Sequence, residues 1–208
     1  MNKTMKRRKP LNVPVHAHSE SETIPSSLED RIAFSELNRG IVRISDPLDE
    51  FSTAEIMQKI EYLRAKGVKH INFMITSPGG GVYHSLALYD RISFLPKQGV
   101  KTTAIVEGYA ASAAAMLVLQ AVQKRTATPN SRFLLHEPRR WTMFAMERTS
   151  DIKDESQEMN SITDVIYSIV AKRCKRAKSE VAKVIDRKEV WMSAQQALKF
   201  RLIDSIIK

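Results

Sequence analysis

The sequence predicts an α/β fold with a mostly parallel sheet and crossover helices, and three observations carry that reading. Short apolar runs alternate with segments of helical spacing from Ile41 to the C-terminus, the pattern of strand, right-handed crossover and strand. A glycine-rich break, Ser77-Pro78-Gly79-Gly80-Gly81, directly follows one apolar run. Gly79, Ser112 and His136 each stand just past the C-terminal end of a predicted strand, which is where open parallel sheets hold their ligands.

Residues 1–28 are polar and carry Pro10, Pro14 and Pro25 among serines. They bury too little apolar area to fold, so a disordered basic arm or removable propeptide is expected, with one domain over 29–208. Ile41-Val42-Arg43-Ile44 reads as a short strand broken by Asp46-Pro47. Ser52 with Glu55 fits a capping box for a helix with Ile56, Met57, Ile60 and Leu63 on one face, and Gly67 stops it. Ile71 to Ile75 is near-continuously apolar, as a buried strand requires. Beyond the glycines, Val82 to Leu95 shows helical spacing through Leu86, Tyr89 and Ile92. Pro96 to Gly99 makes a turn, and Val100 to Val106 is the next strand. A helix of small residues is expected from about Ala110 to Val122, followed by a third strand at Phe133-Leu134-Leu135. Ile152 to Val170 predicts a long helix, and Val181, Val184 and Ile185 a short one. Ser193 with Gln196 caps a helix over Ala194 to Phe200. No internal repeat is present.

Composition narrows the function classes. The net charge of +10 invites a nucleic-acid reading, but its distribution weakens it. Five cations fall in the first ten residues, and a second basic cluster runs from Lys172 to Lys188. Aromatics are 7% of the chain and none interleaves with these clusters, as base-stacking platforms require. A solvated face is the simpler reading. No apolar run reaches the roughly 18–20 residues that cross a bilayer, and the basic N-terminus lacks a following apolar segment. Cys174 stands alone, so neither a disulfide framework nor a cysteine metal site is expected, and a reducing, cytoplasmic setting fits. No Gly-Lys-Ser/Thr follows the glycines, so the loop is not a nucleotide-phosphate cradle. No metal or organic cofactor is expected.

The residues at the strand ends form the parts of a serine hydrolase. A serine hydroxyl attacks only when a base takes its proton. Ser112 lies at or near the first turn of a helix, whose N-terminus stabilises developing negative charge; it also fits a plain close-packed Ala/Ser helix. His136 supplies the base if it reaches Ser112, and is otherwise a hydrogen-bonded structural histidine. His84, inside the helix after the glycines, competes with it. Glycine in the loop permits positive φ and close backbone approach to a ligand. A backbone N–H there, with that of Ala113, would make an oxyanion hole.

Ser77-Pro78-Gly79-Gly80, Tyr89-Asp90, Gly108-x-Ala110-Ala111-Ser112, Pro129-Asn130-Ser131-Arg132, His136-x-Pro138 and Trp191-Met192-Ser193-Ala194 occur in this order. As a set, over about residues 30–208, they resemble the proteolytic subunit family of the ATP-dependent Clp protease (ClpP). The resemblance implies a ClpP/crotonase-like fold and a serine endopeptidase with a Ser–His–acid triad. Carried over by position, Ser112 is the nucleophile, His136 the general base, and Gly80 and Ala113 the oxyanion donors. Gly79 to Gly81 would border the substrate groove, and the helix over 151–173 would be the handle where two rings meet. The resemblance further implies a homo-oligomer of two stacked heptameric rings, degrading unfolded polypeptides fed by a hexameric AAA+ unfoldase ATPase. Nucleic acid and membrane are not implied as partners.

The sequence departs from that pattern in four places. The acid falls to Glu189 where the family carries Asp, with Asp186 three residues earlier as an alternative. Ala113 replaces a usual Met. The connection between Asp90 and Ser112 is a few residues longer, and the N-terminal arm lacks the family's axial-loop pattern. The unusual acid keeps open a catalytically inactive ring subunit. A crotonase-type acyl-CoA hydratase or isomerase is the more distant alternative, since that fold also uses paired backbone N–H groups.

Overall fold

The computed structural model describes residues 27–138 and 149–207; the expected basic arm lies outside them except at its boundary. The chain opens with α1 (Leu28–Asn38), whose Ser27 side chain accepts the N–H of Asp30. Strand β1 (Ile41–Ile44) and helix α2 (Glu50–Ala65) follow. The cap of α2 differs from the expected Ser52–Glu55 pair. Asp49 is the N-cap and Ser52 its N3 partner, each side chain accepting the other's backbone N–H. A carboxylate three residues earlier competes better for the free N–H groups of the first turn. The helix ends at Ala65, just before Gly67, as expected.

The sheet is built by β2 (His70–Ser77), β3 (Lys101–Ala111), β4 (Lys124–Ala127), β5 (Arg132–Leu135), β6 (Val190–Ser193) and β7 (Ser205–Ile206) together with β1. Its main path runs β1-β2-β3-β4-β7, every neighbour parallel. Strand β2 buries Ile71, Phe73, Ile75 and Ser77 and leaves the residues between them half-covered or exposed, an alternation where near-continuous burial was expected. Phe73 and Ile75 are fully buried, each contributing about 1.5–3 kcal/mol relative to exposure.

Strand β3 organises the molecule. Thr103 to Val106 pair with β4, and Tyr109 to Ala111 pair with β5. Two strands thus take turns along one edge. Between those stretches the β2–β3 register shifts: Ile75 faces Val106, but Ser77 faces Ala110. The extra residues around Glu107 and Gly108 bulge, held by the Thr76 hydroxyl donating to the Glu107 carbonyl at 2.6 Å. At the fork, the Val106 carbonyl accepts both the Thr128 N–H at 3.0 Å and the Ser131 hydroxyl at 2.8 Å. The helix expected from Ala110 therefore starts later. Tyr109 to Ala111 finish the strand, and a π-helical turn (Ala114–Val118) leads into the short helix α4 (Leu119–Ala121). Strand pairing has overridden the helical preference of alanine.

Helix α3 (Val82–Phe94) follows the glycine loop, and a 3₁₀ turn over Leu95–Gln98 leads to Gly99. The long helix α5 (Thr149–Cys174) packs on the π-helical turn, on α4 and on α6 (Lys178–Ile185). The antiparallel pair β5–β6 brings the segment before α7 (Ala194–Phe200) back to the fork. Ser193 and Gln196 form the expected capping box of α7.

Candidate active site

Three chain segments meet at the C-terminal ends of β2, β3 and β5. Ser112 immediately follows β3, in the left-handed region at φ 53°. A non-glycine residue there is strained by order 1 kcal/mol and persists only where its surroundings fix it. They do so from both sides. The Ser112 N–H donates to the Leu134 carbonyl of β5 at 2.8 Å, and the Ser112 carbonyl accepts from Ala115 and Met116 at 3.0 and 2.9 Å. One residue thus ends a strand, starts a helical segment and projects its hydroxyl from the junction.

The glycine loop is held against that junction. The Ser77 hydroxyl donates to the Asp46 carbonyl at 2.8 Å and accepts the Gly79 N–H at 3.2 Å. Leu48 clamps the next residues: its N–H donates to the Gly79 carbonyl at 2.8 Å, and its carbonyl accepts from Gly81 at 2.7 Å. Gly79 sits at φ 86°, and a Cβ there would lie 2.6 Å from the Ala111 carbonyl oxygen and 2.8 Å from the Ala113 nitrogen. A Cβ on Gly80 would lie 2.4–2.8 Å from three backbone atoms of Leu48. Only glycine permits either approach. The rungs to Leu48 use the Gly79 carbonyl on one side of Gly80 and the Gly81 N–H on the other. No hydrogen bond among the described residues uses the N–H of Gly80 or of Ala113. These are the two donors assigned from sequence to the oxyanion.

His136 follows β5 directly and is half-buried, with its Nδ1 shielded from solvent. Ser112, His136, Gly80, Val82, Pro138 and Glu189 line one open cleft of about 540 Å³. A tight side pocket of about 20 Å³ opens beside it, walled by Val82, Ser112, His136 and Pro138 together with Ala113, Met116, Leu117 and Ile166. His84, the competing histidine, is exposed on α3. His70 is at the opposite end of β2, its Nε2 2.6 Å from the Thr103 hydroxyl.

Both candidate acids lie in the connection from α6 to β6. Glu189 is exposed and lines the cleft beside His136. Asp186 is the C-cap of α6, 4.0 Å from the Arg187 guanidinium. It also acts on Tyr167 of α5, whose hydroxyl is pushed up to about 12 by burial first and then by the charges of Glu137 and Asp186. Glu137 is the residue next to His136, so Asp186 too stands within electrostatic range of the site.

Val82, Met116 and Ile166 were not singled out as site residues from sequence. Ile166 lay within the predicted long helix Ile152 to Val170, and Met116 in a run of small apolar residues with nothing to mark it. Among the described residues no group of three or more His, Cys, Asp or Glu could hold a metal ion, and no helix is long and apolar enough to cross a membrane. The basic cluster over 172–188 is in part spent internally. Arg173 donates to the Val122 carbonyl at 2.6 Å, Lys178 pairs with Asp164, and Arg176 stacks on Phe200.

Comparison with known proteins bears on the whole domain. Residues 28–208 match the family model described as Clp protease. The chain is 34% identical to ATP-dependent Clp protease proteolytic subunit 1 of Protochlamydia amoebophila, over 94% of this chain and 93% of that one. It is 31% identical to the subunit 1 of Chlamydia trachomatis serovar D over 86% of this chain and 92% of the relative. With subunit 1 of Streptomyces avermitilis it shares 29% identity over 91% and 85%.

Proposed function

The chain belongs to the Clp protease family and is a ClpP-type peptidase, and from that premise we propose that Ser112, His136 and an acid from the α6–β6 connection carry out peptide hydrolysis. His136 takes the proton of the Ser112 hydroxyl as the oxygen attacks the scissile carbonyl. The carbonyl oxygen becomes an oxyanion held by the N–H groups of Gly80 and Ala113. Such donors are each worth about 3 kcal/mol in the transition state. His136 returns the proton to the leaving amine, the C–N bond breaks, and an acyl ester remains on Ser112. Water, deprotonated by His136, then releases the peptide acid and restores the hydroxyl. The observation that carries this reading is the strained Ser112 junction, with unspent backbone donors at Gly80 and Ala113, beside a cleft that also holds His136.

Glu189 is the first candidate for the acid because it lines the cleft. Asp186 is the second, because its charge reaches the buried Tyr167 hydroxyl together with that of Glu137. Family membership sets aside the acyl-CoA hydratase reading. The relatives are named as subunits of an ATP-dependent protease, and this sequence carries no nucleotide-phosphate loop of its own. Energy therefore enters through a partner. The assembly is proposed as two stacked heptameric rings meeting through α5, with a hexameric AAA+ unfoldase delivering unfolded chains.

A fluorophosphonate probe tests the chemistry. An adduct mapping to Ser112, absent from Ser112→Ala, is expected; a folded, assembled protein that takes no label would establish the inactive ring subunit instead. Native mass spectrometry of the same sample reads the ring number.

A further inference from the structure

The basic cluster that follows α5 is only partly spent on internal pairs, and part of the remainder converges. Helix α5 closes with the Lys175 and Arg176 N–H groups on the Lys172 and Ala171 carbonyls, and α7 with those of Arg201 and Leu202 on the Leu198 and Ala197 carbonyls. Each closure puts one residue in the left-handed region: Lys175 at φ 53° and Arg201 at φ 67°. Glycine is the usual occupant of that position, because a side chain is strained there. Here both positions carry long cations. Backbone outliers of this kind cluster where a ligand is clamped.

The two cations stand in one place. With Arg176, Glu180, Lys199 and the buried Cys174 they line an open concavity of about 290 Å³, close to the lower limit of the roughly 300–1,000 Å³ of small-molecule sites. Arg176 is fixed within it. Its Nε donates to the Phe200 carbonyl at 3.2 Å, its guanidinium lies 4.5 Å from the Phe200 ring centre, and Glu180 is 3.7 Å away. Lys175, Lys199 and Arg201 are exposed and have no acidic partner among the described residues. Burial pushes the Cys174 thiol up to about 11 against the pull of Arg125, Arg176 and Arg173, so it adds no charge at neutral pH. Four cations therefore face one carboxylate. The two helix C-termini, at about half a negative charge each, offset one more, and a surplus of about two positive charges remains.

We propose that this concavity, between the C-terminal ends of α5 and α7, binds a phosphate dianion, with Arg176 and Arg201 as forked donors and Lys175 and Lys199 as the other cations. A phosphate group carries about 1.5–2 negative charges at neutral pH and three acceptor oxygens, which matches the surplus. One carboxylate would leave part of it unspent. The arginine fork also suits phosphate, since it meets two oxygens at once. The concavity shares no residue with the Ser112 cleft, so this is a second site and not an extension of the first. Inorganic phosphate, a nucleoside monophosphate and a phosphoserine all present the required group.

Isothermal titration calorimetry on the assembled full-length protein tests this, with inorganic phosphate, adenosine monophosphate and a phosphoseryl peptide as probes in chloride buffer of fixed ionic strength. Saturable binding with a Kd of about 1 mM or tighter is expected for at least one probe, and the tightest identifies the source of the phosphate. Arg201→Gly and Lys175→Gly should each weaken that binding about tenfold. Both should melt no lower than wild type, because glycine is at ease in the left-handed turn, so lost binding is not lost fold. Lys188→Gln removes a cation of the same cluster outside the concavity and should leave the Kd within about twofold. Absence of saturable binding by all three probes below about 10 mM overturns the proposal. Binding that survives both glycine variants overturns it too, as does an equal loss in Lys188→Gln, which would reveal a diffuse charge effect.

Discussion

The two ends of the sheet spend their hydrogen bonds in opposite ways. Early in β4, Arg125 is 3% exposed and uses all three guanidinium nitrogens. Two bind the Asp204 carboxylate, at 3.1 and 2.5 Å, and the third binds the Gln120 side-chain oxygen at 2.5 Å. The backbones join in, with Arg125 N–H on the Asp204 carboxylate and Asp204 N–H on the Arg125 carbonyl, both at 2.8 Å. At the other end, beyond β3, a serine is held in a strained conformation and the Gly80 and Ala113 N–H groups are left unspent among the described residues. The first arrangement lowers the energy of the folded chain. The second withholds stability so that donors are free for a charge that exists only during reaction. The same sheet thus carries a saturated anchor and an unsaturated site.

Variants that move one end without the other sharpen this contrast. Ser112→Ala has the largest expected effect: turnover on a peptide falls about 10⁴-fold or more, while thermal melting stays within about 1 °C, because alanine keeps the backbone and only the hydroxyl is lost. Separate Glu189→Ala and Asp186→Ala variants decide the acid. The true member loses about 10³–10⁴-fold in kcat, and the other stays within a few-fold of wild type.

Gly79→Ala comes next. Its Cβ meets the Ala111 carbonyl and the Ala113 nitrogen below 3 Å, so the loop must withdraw. A loss of about 10²–10³-fold in kcat, that of one oxyanion donor, is expected with a drop in stability of about 1–3 kcal/mol, read by denaturant titration.

Asp204→Ala strikes the anchor. It leaves Arg125 buried without its carboxylate and should destabilise by about 3 kcal/mol, with activity per folded molecule unchanged. Burial alone would raise the Asp204 carboxyl; the hydrogen bonds and charge of Arg125 outweigh it and hold the group below the ordinary range. Its contribution is therefore present above the unfolded carboxylate value of about 4 and is lost as pH falls through the lower folded value. Wild type should lose stability over that acid window, and Asp204→Asn should flatten the loss. Ser112→Gly is the smallest effect and of opposite sign: relief of the left-handed serine should add about 1 kcal/mol to an inactive protein. A destabilised Ser112→Gly would mean that the junction is not strained.

Much of the architecture was legible because it rests on local pattern. Helices α3, α5, α6 and α7 follow from apolar spacing, and the Ser193–Gln196 cap follows from its own two side chains. What was missed depends on distant partners. Lys124-Arg125-Thr126-Ala127 is polar and short, and only β3 and β7 make it a strand. Val190 to Ser193 became an antiparallel strand only because β5 lies beside it. Ala110 and Ala111 read as the start of a helix because alanine favours helices, yet two neighbouring strands claimed them. The same holds at the site. Ser112, His136 and the glycines stand out by position after apolar runs. Met116 and Ile166, fifty residues apart, become neighbours only through packing, and the choice between Glu189 and Asp186 turns on a turn geometry that spacing alone does not fix.

The bulge in β3 has a bearing on which length changes this protein tolerates. Surface connections elsewhere can gain or lose residues cheaply. Between Val106 and Ala110 the count is part of the mechanism. Excising two residues would restore a regular ladder with β2, draw the end of the strand back by about 7 Å, and strand the hydroxyl short of the imidazole. Across sequences of this kind, the interval from Val106 to Ser112 should keep its length while its composition drifts.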